Sequence, residues 1–367
     1  MRAAVFHAPG TVVLEDRPIP AVGPGDLLIR VQAASVCGTD LRIFNYGHFK
    51  LAPGAHRVQG HETAGEIVAT GGEVTGYAVG DRVSVTPNVG CGRCPMCLRG
   101  LNNMCPDYEA FGVSLDGGFA EYLLVPAFAV QRGNVFHLPA GLDYAQAALV
   151  EPFSCCLRGV RSVGIGPQDD VLVVGAGPIG AFTVMLARLA GARRIIVANR
   201  SRGRLAQLAR YGADTLIEVG DRDLVEAVKA ETGGRGVDVA ITAASSAQVQ
   251  ADAVQLLATH GQLNFFAGLS GRGGPPTVAI DTNRVHYQGL TLTGTTGSSN
   301  ADYADALQIV GQGRVDLSGL LTRTFSVEDI HEAFAYAASG AGMKAGIAFG
   351  TDPSARAADL EQAGVPA

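Results

Sequence analysis

Short apolar runs dominate the first 150 residues. "LLIRVQAASV", "AGEIVATGG", "DRVSVTP" and "FAEYLLVP" each read as strands, punctuated by Gly, Pro, Asp and Asn. Helical periodicity is scarce there, which predicts a barrel-like or sandwich-like β domain. The pattern changes near residue 155. "DDVLVVGAGPIGAFTVMLARLAGARRIIVANR" is a buried strand, a glycine-rich turn, an apolar helix and a second strand. Further alternation predicts a helix over 201–212, a strand near "TLIEV", a helix over 221–232, a strand at "VDVAITAA", a helix over 246–259 and a strand at "GQLNFFAGL". Strands and helices of this length specify a doubly wound parallel sheet, so the expected class is α/β. Another strand follows at "LTLTGTT", then helices over 301–312 and within "FSVEDIHEAFAYAAS", with Ser326 as N-cap and Glu328 and Asp329 in the first turn. "KAGIAFG" is expected as a last strand returning to the first domain, and the tail from about 352 as loosely attached.

Length and composition support two domains. The chain has 367 residues, more than one core accommodates. With 47% hydrophobic and 17% charged residues it can bury a large core, which argues against disorder. The net charge is −6 and no run of Lys or Arg marks a nucleic-acid surface. No uncharged apolar run reaches the roughly 18–20 residues of a spanning helix. The N-terminal stretch lacks the apolar core of a signal peptide. The expected setting is cytoplasmic, with reduced cysteines, no membrane and no nucleic-acid partner.

The glycine-rich turn carries Gly175, Gly177 and Gly180 in G-x-G-x-x-G spacing, with Pro178 and Ile179 inside it. It follows an apolar strand and opens a helix, the context a dinucleotide fingerprint requires. Gly175 permits the tight turn, Gly177 lets backbone approach a pyrophosphate, and Gly180 lets the helix pack on the strand. The helix N-terminus then offers free N–H groups to phosphate. An acid normally follows about 20 positions later to accept the ribose 2′-hydroxyl of NAD. Here Asn199 stands in that place, followed by Arg200, Arg202 and Arg204. Asn does not repel a 2′-phosphate and a guanidinium binds one, so NADP is favoured over NAD. Arg200, next to the strand end, is the strongest candidate of the three arginines.

Cys91, Cys94, Cys97 and Cys105 place four of the seven cysteines within one short loop, in C-x2-C-x2-C-x7-C spacing. A ferredoxin-type run would bring its fourth cysteine after three residues. The longer gap here suits one loop wrapped around a single tetrahedral ion, a closed structural zinc site. A second set is scattered: Cys37, Thr39 and Asp40 in "VCGTD", His61 and Glu62 in "QGHETAGEIV", and Glu151 in "LVEPFS". One thiolate, one imidazole and one or two carboxylates suit a catalytic zinc that keeps a position open. Cys155 and Cys156 read as apolar fill.

"VCGTD", "GHETAGEIV", "GDRV", "CGRCPMCLRGLNNMC", "GGFAEYLLVP", "EPFS" and "GAGPIG" run in one order across about 350 residues. Through them the chain resembles the zinc-dependent medium-chain dehydrogenase/reductase superfamily, closest to its sorbitol and threonine dehydrogenase branch. The resemblance implies a GroES-like catalytic domain over 1–154, a Rossmann domain over 155–296, a return to the catalytic domain over 297–350 and a tail over 351–367. It implies that Cys37 and His61 ligate the catalytic zinc, with Glu62 or Glu151 as third ligand. Asp40 would orient His61, and Thr39 would pass the substrate proton outward. Residues 42–57 would line the substrate, with His48 or His56 taking part. The implied reaction is hydride transfer between NAD(P) and a secondary alcohol or ketone of a polyol, sugar, cyclitol or amino alcohol. A threonine-type or simple secondary alcohol dehydrogenase is the alternative; a non-redox zinc enzyme or a nucleotide sensor fits the complete site less well. A homodimer or homotetramer is expected, paired near residues 285–296.

Overall fold

The computed structural model describes residues 1–52, 54–220, 222–269 and 276–350; the tail expected from 352 lies outside them. The chain divides into two compact units, Met1–Pro152 with Ser298 onward, and Phe153–Gly297. The first division falls inside the helix Val150–Arg161.

The first unit is built on β pairing. Leu27–Ser35 is its central strand, flanked by Glu62–Thr70, Tyr122–Val125 and Lys344–Ala348. Arg82–Val85 and Val135–His137 extend the sheet on one side, and Leu321–Ser326 on the other. Leu27, Ile29, Ile67, Val83, Phe119 and Phe334 are among the side chains that fill its core. Each such side chain contributes about 1.5–3 kcal/mol when removed from water. Gly65 is required by this pairing, because a β-carbon there would stand 2.2 Å from the Arg30 carbonyl oxygen. The strand expected at "KAGIAFG" spans Lys344–Ala348 and pairs antiparallel with Leu27–Ser35. A separate three-stranded sheet runs in the order Thr11–Asp16, Arg2–Ala8, Arg57–Val58.

The second unit is a six-stranded parallel sheet. Its order is Thr215–Glu218, Arg194–Asn199, Asp170–Val174, Val237–Thr242, Leu257–Phe265, Thr291–Gly294. This is the doubly wound order of dinucleotide-binding sheets. Val171, Leu172 and Val173 are all fully buried, which is why the strand reads as a continuous apolar run rather than an alternating one. The following helix, Pro178–Leu189, begins at Gly177 with proline in its first turn.

Three helix boundaries differ from the expectation. The helix predicted from 221, a position outside the described residues, begins at Leu224 with Asp223 as its N-cap. The helix predicted over 201–212 spans Arg202–Leu208 and ends in a 3-10 turn. The helix predicted over 246–259 stops at Gln255, and Leu257 already begins the next strand. "LLA" at 256–258 is buried in either conformation, so its hydrophobicity carries no period. The backbone decides instead: Val237 pairs with Leu257, and Gly236 comes so close that a β-carbon would stand 2.4 Å from the Leu256 carbonyl oxygen. Ser326 caps a 3-10 turn, Val327–Asp329, with its hydroxyl donating to Asp329 at 2.9 Å; the α-helix begins at Ile330.

Gly180 tests the packing of the strand–helix turn. A β-carbon there would stand 2.0 Å from the Gly175 carbonyl oxygen. Gly180→Ala is expected to cost about 1–3 kcal/mol through overpacking and to weaken dinucleotide binding. Thermal unfolding and cofactor titration check this; an unchanged midpoint together with unchanged affinity contradicts it.

Candidate active site

In the first unit the β register joins residues far apart in sequence. Ser35 pairs with Glu62, so the chain just beyond Ser35 runs beside the chain just before Glu62. That brings Cys37 and His61 together. Cys37 precedes the helix Gly38–Tyr46 in extended conformation. Asp40, fully buried in its first turn, accepts the Cys37 backbone N–H at 2.8 Å. Its other oxygen stands 3.2 Å from His61 Nδ1, outside hydrogen-bonding angles. Ligand atoms of Cys37, His61 and Glu62 all lie within 4.8 Å of one another. Burial by itself would lower the pKa of His61. The negative charge of Asp40 and Cys37 close by outweighs burial and raises it well above the usual range.

Glu62 is fully buried and held from the side. Oε2 accepts from the Ser35 hydroxyl and from the Lys344 ammonium, which also donates to the Val36 carbonyl at 2.9 Å. Burial opposes the charge on Lys344, but Glu62 and Cys37 overcome it and raise its pKa. Glu62 Oε1 has no hydrogen-bond partner among the described residues. Leaving such an oxygen unsatisfied costs about 1–3 kcal/mol. A cation bound between Glu62, His61 and Cys37 would satisfy it, so the donor set fits a zinc ion. Asp40 occupies the Nδ1 side of His61, which leaves Nε2 for a metal.

Glu151 is buried in the first turn of the helix Val150–Arg161, outside that 4.8 Å set. The pKa of Tyr303 is raised by burial and further by the charge of Glu151. Thr39 is exposed in the first turn of its helix. His48 is partly buried, its ring 4.4 Å from that of Phe49, and its pKa is lowered by burial, Lys50 and Arg42. His56 lies beside His7.

The four cysteines of the loop also converge within 4.8 Å. Backbone N–H groups of Cys91, Cys94 and Cys97 point at sulfurs of Cys105, Cys91 and Cys94, at 3.3–3.4 Å. N–H groups of Arg93 and Cys94 draw the Cys91 thiol down to about 6. Burial pushes Cys97 up to about 12. Four thiolates this close repel one another unless a dication stands among them, which fits a closed zinc site. Gly92 makes the turn at φ +74°, where a β-carbon would meet the Arg132 guanidinium at 2.3 Å. Asn300 fastens the loop: its N–H donates to Asn102 Oδ1 at 2.9 Å and its amide to the Arg132 carbonyl at 2.9 Å.

In the second unit Gly175 adopts φ +121° and Gly177 caps the helix. Pro178 opens that helix, and the Ile179 carbonyl accepts from Thr183 at 2.7 Å. Asn199 ends its strand and braces the turn: Oδ1 accepts from Ala176 N–H at 3.3 Å, and Nδ2 donates to Ser201 at 3.1 Å. Arg200 is exposed. Arg204 comes nearest the turn, its guanidinium 3.4 Å from where a Gly177 β-carbon would stand.

Sequence reasoning did not single out Lys344, Ser35, Asn102 or Asn300. Only Lys344 left a trace, as a charged residue inside an otherwise apolar strand.

Known proteins place this arrangement. The model of the alcohol dehydrogenase GroES-like domain matches residues 23–134, and that of zinc-binding dehydrogenases matches 178–312. L-threonine 3-dehydrogenase of Aeromonas salmonicida (strain A449) is 33% identical over 329 residues, covering 89% of this chain and 93% of that protein. Sorbitol dehydrogenase of Bacillus subtilis (strain 168) is 32% identical over 336 residues, covering 91% and 92%. A solved structure from Sinorhizobium meliloti 1021, described as a zinc-binding dehydrogenase bound to NADP, superposes with TM-score 0.86 at 32% identity, covering 95% of this chain and 98% of that one. The chain thus belongs to the zinc-dependent medium-chain dehydrogenase/reductase superfamily, whose members act on CH–OH groups.

Proposed function

We propose that the protein interconverts a secondary hydroxyl and a ketone on a polyol, sugar, cyclitol or amino alcohol, with NADP preferred over NAD. The observation that carries this reading is the convergence of Cys37, His61 and Glu62, with one buried oxygen of Glu62 left without a hydrogen-bond partner. A zinc ion held there supplies Lewis acidity toward the substrate oxygen, and the dinucleotide supplies the hydride acceptor. Asp40 fixes the ring of His61 and the turn that bears Cys37. Thr39, exposed beside Cys37, would relay the substrate hydroxyl proton toward solvent. Lys344 and Ser35 keep Glu62 aimed by holding one of its oxygens. Glu151 is the further carboxylate available to this site. Cys91, Cys94, Cys97 and Cys105 hold a second, structural zinc.

NADP preference rests on Asn199, which puts no negative charge at the strand end, and on Arg204 beside Gly177. Asn199→Asp is expected to raise KM for NADP by roughly tenfold or more while lowering KM for NAD. The deciding assay offers primary alcohols, diols, polyols, cyclitols and L-threonine with NAD and NADP in parallel. Turnover confined to substrates without a secondary hydroxyl would overturn the substrate class, and a wild-type preference for NAD would overturn the cofactor assignment. We further propose a homodimer or homotetramer paired along the edge strand Thr291–Gly294; a monomer mass by light scattering contradicts it.

A further inference from the structure

Outside the Cys37 cluster and the four-cysteine loop, three metal-binding side chains meet on the small three-stranded sheet. His7 lies on its middle strand, Arg2–Ala8. Glu15 comes from Thr11–Asp16 on one side. His56 immediately precedes Arg57–Val58 on the other. Phe6 pairs with Arg57, and continuing that antiparallel register by one residue sets His7 opposite His56. Their ring centroids are 3.8 Å apart. His7 Nε2 stands 2.5 Å from Glu15 Oε1. One ligand atom from each of the three lies within 4.8 Å of the others.

We infer that His7, Glu15 and His56 form a third metal site, one that takes a divalent transition ion such as Zn²⁺. Two imidazoles and a carboxylate are the donor set that Zn²⁺, Ni²⁺ and Cu²⁺ prefer over Mg²⁺ or Ca²⁺. The donors stand on or directly beside three hydrogen-bonded strands, so their separation is fixed by a sheet rather than by a free loop. The neighbouring charges are balanced. Arg17 stands 3.7 Å from the other oxygen of Glu15, which orients the carboxylate. Arg17 and Arg57 are in turn compensated by Asp116, at 4.0 and 3.0 Å.

Three protein ligands leave a coordination position for water or a small oxygen ligand. His7 also lines a cavity of about 370 Å³ with Tyr46, His48 and Phe49, which gives such a ligand room. An ion bound here ties three strands together and stabilises the fold by mass action.

The test uses intact protein dialysed against a mild chelator that strips loosely held ions and leaves thiolate-held metal in place. Zn²⁺ is then titrated by calorimetry, and thermal midpoints are read with and without added Zn²⁺. Wild type is expected to bind one further equivalent and to rise in midpoint. His56→Ala and Glu15→Gln are each expected to weaken that equivalent roughly tenfold or more and to lose the midpoint rise. His56 is exposed, so its variant should match wild type in midpoint without Zn²⁺. A wild type that binds no further equivalent, or a His56→Ala protein that binds it as tightly, overturns the site. The same titration on Cys37→Ser separates this result from the catalytic reading, because the His7 site should survive there.

Discussion

Cys37→Ser is expected to remove one tightly held zinc per subunit, to leave a second in place, and to lower kcat/KM about a thousandfold or more. The argument begins with the ligand set. Cys37, His61 and Glu62 are the donors within mutual reach, and Cys37 is the only soft one among them. A serine hydroxyl is a far weaker ligand than a thiolate for a borderline ion, so affinity falls with the donor. Lewis-acid stabilisation of developing charge is worth several kcal/mol, and each 1.36 kcal/mol is tenfold in rate. The fold should survive, because Asp40 accepts from the backbone N–H of residue 37 and that bond does not depend on its side chain. Elemental analysis and steady-state kinetics on one preparation check both parts. Full activity with one zinc missing, or both zincs retained with activity lost, contradicts the assignment.

Cys105→Ser is expected to act on stability instead. Cys105 is the buried member of the four-cysteine loop, and its sulfur accepts from the backbone of Cys91 fourteen residues earlier. Losing this thiolate opens a closed tetrahedral site whose metal binding is itself folding free energy. Loss of a structural metal belongs to the few changes that exceed about 4 kcal/mol. At about 2–4 °C per kcal/mol for domains of 150–250 residues, the midpoint should fall by roughly 10 °C. Turnover per folded, zinc-loaded molecule should fall far less than in Cys37→Ser, since no residue of this loop joins the Cys37 cluster. Thermal unfolding beside active-site titration reads the two effects separately. An unchanged midpoint would mean that the loop holds no metal worth its folding.

How much of this was legible in the chain depends on how local each feature is. The strand–turn–helix at Gly175–Gly180 could be read because all its causes sit within a few residues. The convergence of the four cysteines was legible for the same reason: they share one loop, and their spacing suits a single tetrahedral ion. Cys37 and His61 were different. Neither stands out in its own segment, and what joins them is the pairing of Ser35 with Glu62, a register that periodicity does not reveal. Their donor chemistry offered them as a set, and resemblance to known sequences joined them; spacing did not. Lys344 lies 282 residues from Glu62, and Asn300 lies 198 from Asn102, so no local pattern could connect them. His7, Glu15 and His56 escaped for the same reason, since cross-strand neighbours are invisible until strands are paired. The end of the helix at Gln255 was missed because a fully buried apolar run has no polar side to betray its period.

Zinc K-edge X-ray absorption on chelator-dialysed protein tests the central claim most directly. The account predicts two zinc ions per subunit. The averaged nearest-neighbour shell should mix sulfur at about 2.3 Å with nitrogen and oxygen at about 2.0–2.2 Å, the light-atom part diminishing in His61→Ala. A single zinc per subunit surrounded by sulfur alone would contradict it.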